Sequence, residues 1–160
     1  LTVGPQISAD LSDVTDLEWS PTGSTFGYIE LGSLKTAAPG QTVADTLLTA
    51  NGQEGVEKYQ WSPDGSQIAA VGNLNGLNQF ELLVLNADGS GLISVALDIG
   101  CDQIANEFAW SPDGTQIAFS AGAARNDPDR IYIAEADGSG VTRVSDASTF
   151  DIGQISNISN

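Results

Sequence analysis

Asn126, Asp127 and Asp129 put three oxygen-bearing side chains within four residues, the kind of donor set a hard cation such as calcium takes. The twelve-residue calcium loop, with glycine at its sixth position and a closing glutamate, is absent, so the same stretch also reads as a solvated connection between strands. Asp13, Asp16 and Glu18 lead into Trp19 at near-alternate spacing. They line a central channel or its rim, or they form an exposed face; the spacing leaves both open. The chain contains no histidine. That removes the usual general base, the serine or cysteine triad and the commonest zinc ligand. There is no Gly-x-Ser-x-Gly elbow, because Gly89-Ser90-Gly91 and Gly138-Ser139-Gly140 read as turns, and no Gly-x-x-x-x-Gly-Lys phosphate loop. The expectation is a chain with no catalytic residue, no cofactor and no metal ligand set of its own.

The residues that recur do so for turns rather than for chemistry. Trp19-Ser20-Pro21-Thr22-Gly23, Trp61-Ser62-Pro63-Asp64-Gly65 and Trp110-Ser111-Pro112-Asp113-Gly114 are copies of one phrase, 42 residues apart from Trp19 to Trp61 and 49 from Trp61 to Trp110. A second phrase, Asn86-Ala87-Asp88-Gly89-Ser90-Gly91, returns as Glu135-Ala136-Asp137-Gly138-Ser139-Gly140. Spacing of this size marks a repeat architecture. In the first phrase serine can accept a local backbone bond, proline pre-sets φ near −65° and glycine supplies the left-handed position that a tight hairpin needs. Asp64, Asp113, Asp88 and Asp137 therefore read as turn residues. Trp19, Trp61 and Trp110 read as ring systems packed between neighbouring sheets, since a base-stacking platform would want cations beside them.

Between the turns lie short segments rich in Ile, Val and aromatics, which is the strand signature. The second repeat predicts strands over 57–61, 67–71, 80–85 and 92–97, and the third over 106–110, 116–120, 130–134 and 141–144. Each set makes a four-stranded antiparallel meander, one propeller blade. The first repeat reads as degenerate. It keeps a second strand over 25–30 and a last strand over 42–49, but residues 31–40 carry Ala37-Ala38-Pro39-Gly40 where the third strand belongs, so an irregular loop or short helical turn is expected there. The blades fall at about 11–50, 54–97 and 103–145 of a single partial propeller domain over 1–160. Residues 146–160 read as the start of a next blade. No methionine occurs, so a processed or excised piece of a longer chain is expected.

These phrases resemble the TolB-like, WD-type β-propeller repeat family. Residues 106–145 match almost throughout, including Arg130-Ile131-Tyr132-Ile133; residues 57–97 match well, and residues 11–50 match in their first half. The resemblance implies a six- to seven-bladed ring used as a periplasmic or cell-surface scaffold that binds protein or peptide, so the chain reads as an all-β partial propeller of three blades, half of the ring if it has six. It equally implies the gating propeller of a serine peptidase of the prolyl-oligopeptidase or tricorn kind, with the catalytic domain elsewhere.

Charge narrows the partners. Twenty-one acidic against five basic residues give a formal charge of −16, although only 16% of residues are charged. The imbalance comes from missing Lys and Arg, against a usual charged fraction of roughly 25%. Lys35, Lys58, Arg125, Arg130 and Arg143 form no basic stripe, so nucleic acid and anionic membranes are not expected partners. Cationic partners or a salty exterior fit better. No apolar run is long enough to insert in a membrane. The single cysteine, Cys101, cannot close an internal disulfide and reads as a small buried hydrophobe. Open sheet edges at the two ends leave self-association as a third reading.

Overall fold

The turn chemistry is realised bond by bond. In the second phrase the Gly65 N–H donates to the Ser62 carbonyl at 2.8 Å and the Ser62 N–H to the Gln67 carbonyl at 2.9 Å. The Ser62 hydroxyl donates to Asp64 Oδ1 at 2.7 Å and accepts from the Gln67 N–H at 2.9 Å. Gly65 stands at φ +72°, a conformation that glycine adopts without steric penalty. The third phrase repeats the set, with Ser111 Oγ on Asp113 Oδ1 at 2.6 Å and the Gln116 N–H on Ser111 Oγ at 2.9 Å. In the first, Thr22 stands where the others have aspartate, and its hydroxyl faces Ser20 Oγ at 3.1 Å. In the other recurring turn, the Ser90 N–H donates to Asp88 Oδ1 at 2.9 Å and the Ser139 N–H to Asp137 Oδ1 at 2.8 Å. Bonds of 2.9 Å from Ala87 N–H to the Ser66 carbonyl and from Ala136 N–H to the Thr115 carbonyl tie the two kinds of turn together at one end of each sheet.

The computed structural model describes residues 13–49, 55–74, 80–96, 103–122 and 130–144, and every regular element within them is a strand. These are β1 (Val14–Trp19), β2 (Phe26–Glu30), β3 (Ser33–Ala37), β4 (Asp45–Leu48), β5 (Gly55–Trp61), β6 (Gln67–Asn73), β7 (Glu81–Asn86), β8 (Ile93–Ser94), β9 (Gln103–Trp110), β10 (Gln116–Gly122), β11 (Arg130–Glu135) and β12 (Val141–Arg143). They form three four-stranded antiparallel meanders, β1-β2-β3-β4, β5-β6-β7-β8 and β9-β10-β11-β12. This is the expected all-β partial propeller.

The expectation of a loop or helical turn over 31–40 is corrected. Ser33–Ala37 is a full third strand, paired with β2 from Phe26↔Ala37 to Glu30↔Ser33. Leu31 at φ +50° and Gly32 at φ +71° make a two-residue hairpin of the primed type, whose twist suits the flanking strands. The usual Asn-Gly or Asp-Gly signal is missing because a leucine occupies the first left-handed position. Residues 1–12, Cys101, Asn126, Asp127, Asp129 and residues 145–160, on which other expectations fell, lie outside the described residues.

The three sheets line up residue for residue. Trp19, Trp61 and Trp110 pair with Phe26, Ile68 and Ile117, which in turn pair with Ala37, Leu85 and Ala134. One apolar cluster joins the first and second sheets through Ile29, Leu34, Leu48, Tyr59, Trp61, Ile68 and Leu85. Another joins the second and third through Ala69, Val71, Leu82, Val84, Phe108, Ile117, Phe119 and Tyr132. Alternation along β6 divides the labour, with Ile68 and Ala70 on one face and Ala69 and Val71 on the other. Trp61 and Trp110 pack between sheets as expected, whereas Trp19 is 56% exposed and rests edge-on against Phe26 at 5.4 Å. Its face of the first sheet has no described sheet against it, so the expectation of equivalent burial fails there.

Candidate functional site

The sheets approach one another at their first strands, where β5 meets β2 and β3 and β9 meets β5 and β7. Across the turn-proximal ends of β1, β5 and β9 opens a cleft of about 480 Å³. Asp16, Leu17 and Glu18 line it from β1, Lys58, Tyr59, Gln60 and Trp61 from β5, and Ala109 and Trp110 from β9.

β1 is distorted where it enters the cleft. Its register with β2 shifts between Thr15 and Glu18, and Asp16 sits at φ +50°. An L-residue held in that region costs on the order of 1–2 kcal/mol. The distortion lets three successive residues all reach the cleft, where an ideal strand would turn the middle one away. Burial, and after it the charge of Asp16, raises the proton affinity of Glu18. Among the described residues neither Asp16 nor Glu18 makes an ion pair, whereas Lys58 Nζ lies 3.6 Å from Glu107 Oε2.

Two polar groups of β5 are buried at the cleft floor. Tyr59 is 3% exposed and its ring lies over Gly27, so close that a Cβ there would meet Oη at 2.7 Å. Gly27 is the pairing partner of Glu18, which brings the phenol beside that carboxylate. Burial first, then the charge of Glu18, pushes the Tyr59 proton affinity up; the nearby Glu18 backbone pulls it down somewhat, and Asp16 adds a further upward push. The hydroxyl makes no hydrogen bond of normal geometry, and neither does Trp61 Nε1. Trp110 Nε1 does, donating to the Gln60 carbonyl at 3.3 Å. The corresponding acceptor for Trp61 is the Glu18 carbonyl, in the distorted part of β1, and that bond is not made.

Of the acidic residues singled out before Trp19, the structure brings Asp16 and Glu18 to the cleft, while Asp13 is exposed and does not line it. Lys58, Tyr59 and Gln60 were missed. Their signal was available, since they stand before Trp61 as Asp16 and Glu18 stand before Trp19. The connections 72–79 and 121–129 are described only at 72–74 and 121–122. Asp64 is a turn residue with a carboxyl held down at about 2, chiefly by the Ser66 N–H and then by the Ser62 and Ser66 hydroxyls. Side-chain hydrogen bonds likewise lower Asp88, Asp113 and Asp137. Among the described residues no group of three or more His, Cys, Asp or Glu side chains could hold a metal ion.

Comparison with solved structures identifies the architecture. The chain is similar to TolB from Agrobacterium tumefaciens, with a TM-score of 0.62 at 20% identity over 84% of this chain and 46% of that one. It is similar to an oligogalacturonate lyase solved in complex with manganese, with a TM-score of 0.64 at 17% identity over 86% of this chain and 37% of the lyase. It is similar to a prolyl endopeptidase, with a TM-score of 0.60 at 17% identity over 85% of this chain and 23% of the peptidase. At these identities the likeness establishes a TolB-like propeller fold. The chain spans less than half the length of each of the three. No protein-family model matches the sequence, and no curated protein matches it.

Proposed function

We propose that this chain is a non-catalytic propeller scaffold, three blades of a larger ring, that binds a protein or peptide at the cleft crossing its first strands. The observation that carries the reading is the cleft itself. It presents carboxylates, an amide and two indoles from three equivalent strands, a lining suited to recognition, in a chain without histidine. A concave site with a few placed polar groups among aromatics is the usual form of a binding pocket. An extracytoplasmic location, periplasm or cell surface, goes with this reading, and a formal charge of −16 suits a salty exterior. Panning a displayed random-peptide library against the chain tests it. Recovered peptides should lose binding to Ala109→Arg, which fills the cleft from an exposed position and leaves the core intact. Peptides that bind this variant unchanged would remove the cleft from the proposal.

The second reading, a regulatory propeller beside a serine peptidase, draws support from the prolyl endopeptidase likeness. A parent reading frame running into an α/β-hydrolase segment with Gly-x-Ser-x-Gly would decide for it, and one running only into further Trp-Ser-Pro-Asp-Gly repeats against it. Self-association has its own support in Ile131 and Val144, which are 50% and 58% exposed. Sedimentation over a range of concentrations tests that reading, and a monomer throughout would end it.

A further inference from the structure

The cleft carries uncompensated negative charge. Asp16 and Glu18 stand side by side on the distorted stretch of β1 with no ion pair among the described residues, and the cation that lines the same space, Lys58, is directed to Glu107 at 3.6 Å. Beside the carboxylates lies the buried Tyr59 hydroxyl, which makes no normal hydrogen bond and feels the charge of both. The indoles of Trp61 and Trp110 form the adjoining wall. Two carboxylates can accept from a planar or tetrahedral cation, and an indole face attracts one through its quadrupole. A neutral or anionic group in the same place would leave the carboxylates unanswered. An anionic sugar chain would be repelled.

From this arrangement we infer that the cleft receives a cationic side chain, the guanidinium or ammonium of an arginine or lysine presented by the bound polypeptide. The inference rests on the scaffold reading above and names the chemistry of what that scaffold takes. Glu18 and Asp16 supply the charge, and Trp61 and Trp110 the aromatic wall. Binding draws Glu18 toward its ionised form, so the uptake weakens as Glu18 is protonated.

The test uses the whole chain and two probes, acetyl-Gly-Arg-Gly-amide and the same tripeptide with citrulline, which keeps the shape of arginine and removes its charge. Titrations followed by tryptophan fluorescence and calorimetry are run in salt of about 150 mM, where charges more than roughly 8 Å apart are largely screened. The arginine peptide should bind about tenfold or more tighter than the citrulline peptide, a difference of about 1.4 kcal/mol. Glu18→Gln and Asp16→Asn should each remove most of that preference. Asp45→Asn, which changes the net charge equally from an exposed position on β4, should leave it intact. A free arginine amide binding as tightly as the tripeptide would overturn the polypeptide part of the claim. Equal binding of both tripeptides would overturn the inference while leaving peptide binding in place, and equal losses in Asp45→Asn and Glu18→Gln would assign the effect to diffuse charge and overturn it too. Failure of both tripeptides to bind overturns the inference, while the scaffold reading stands or falls by the displayed library.

Discussion

Leu82 in the second sheet and Ile131 in the third hold the same place in their meanders, paired with Val71 and Ser120. Leu82 has no exposure and Ile131 has 50%. Trp61 and Trp19 repeat the contrast, at 6% and 56%. Register is shared and the side chains are identical or of like size, so the difference lies in the neighbour: the second sheet is flanked on both faces, while the first and third have described partners on one face. A repeated residue in such a fold has no fixed energetic weight. Its weight depends on whether a sheet lies against it, as nearest-neighbour stacking requires.

Truncating the paired tryptophans is the severest way to break this comparison. Trp61→Ala should cost about 3–5 kcal/mol, the usual range for a buried aromatic, while Trp19→Ala should cost under about 1 kcal/mol, as for surface substitutions. Equilibrium urea unfolding of the two variants, read as shifts in midpoint at constant slope, decides. Equal losses would mean that the first sheet is covered as fully as the second.

The aliphatic pair sharpens the same point. Leu82→Ala should cost about 2–5 kcal/mol, and Ile131→Ala should stay within about 1 kcal/mol. The same unfolding assay applies, and a large loss at Ile131 would indicate an occupant on the third sheet's open face.

A subtler contrast separates Gly27 from Ala69 and Ala118, which stand at the same register position in the other sheets. A methyl group is tolerated there twice but not at Gly27, where Tyr59 Oη would be 2.7 Å and its ring carbons 2.9 Å away. Gly27→Ala should cost about 1–3 kcal/mol by overpacking. Adding Tyr59→Leu should return part of that, giving a coupling in a double-mutant cycle that distant pairs lack. Additive losses would show that the phenol moves aside freely.

The smallest expected effect compares the aspartate turns with the threonine turn of the first sheet. Asp64 is held at about 2 against an ordinary 3.8, so its contribution is complete above 3.8 and disappears as the pH falls toward 2. Asp113, Asp88 and Asp137 move in the same direction. Stability measured by thermal melts should therefore fall through that acid window. Asp64→Asn should flatten part of the slope, whereas Thr22→Val, in the turn that has no carboxylate, should leave the slope unchanged.

Much of the fold was legible because its turns are written in residues with few other uses. Serine, proline, aspartate and glycine at fixed offsets left little freedom for the hairpins, and β-branched and aromatic runs between them marked most of the strands. The third strand of the first sheet escaped because Leu31-Gly32 folds a primed turn without the residues that usually announce one, and because Ala37 looked like the start of a loop. The cleft was half legible. Asp16 and Glu18 stood out by charge, but Tyr59, Gln60 and the indoles join them only through the meeting of strands more than forty residues apart, which no local pattern records. The exposure of Trp19 was hidden for the same reason.

The pleat of the second sheet sends Ile68 and Ala70 to one cluster and Ala69 and Val71 to the other, and the two clusters have no residue in common. Each seam can therefore be redrafted by mutation without disturbing the opposite one. For a lineage that grows by duplicating such units, this separation lets a newly copied sheet drift on its free side while its inherited contact stays intact, so variety accumulates one boundary at a time.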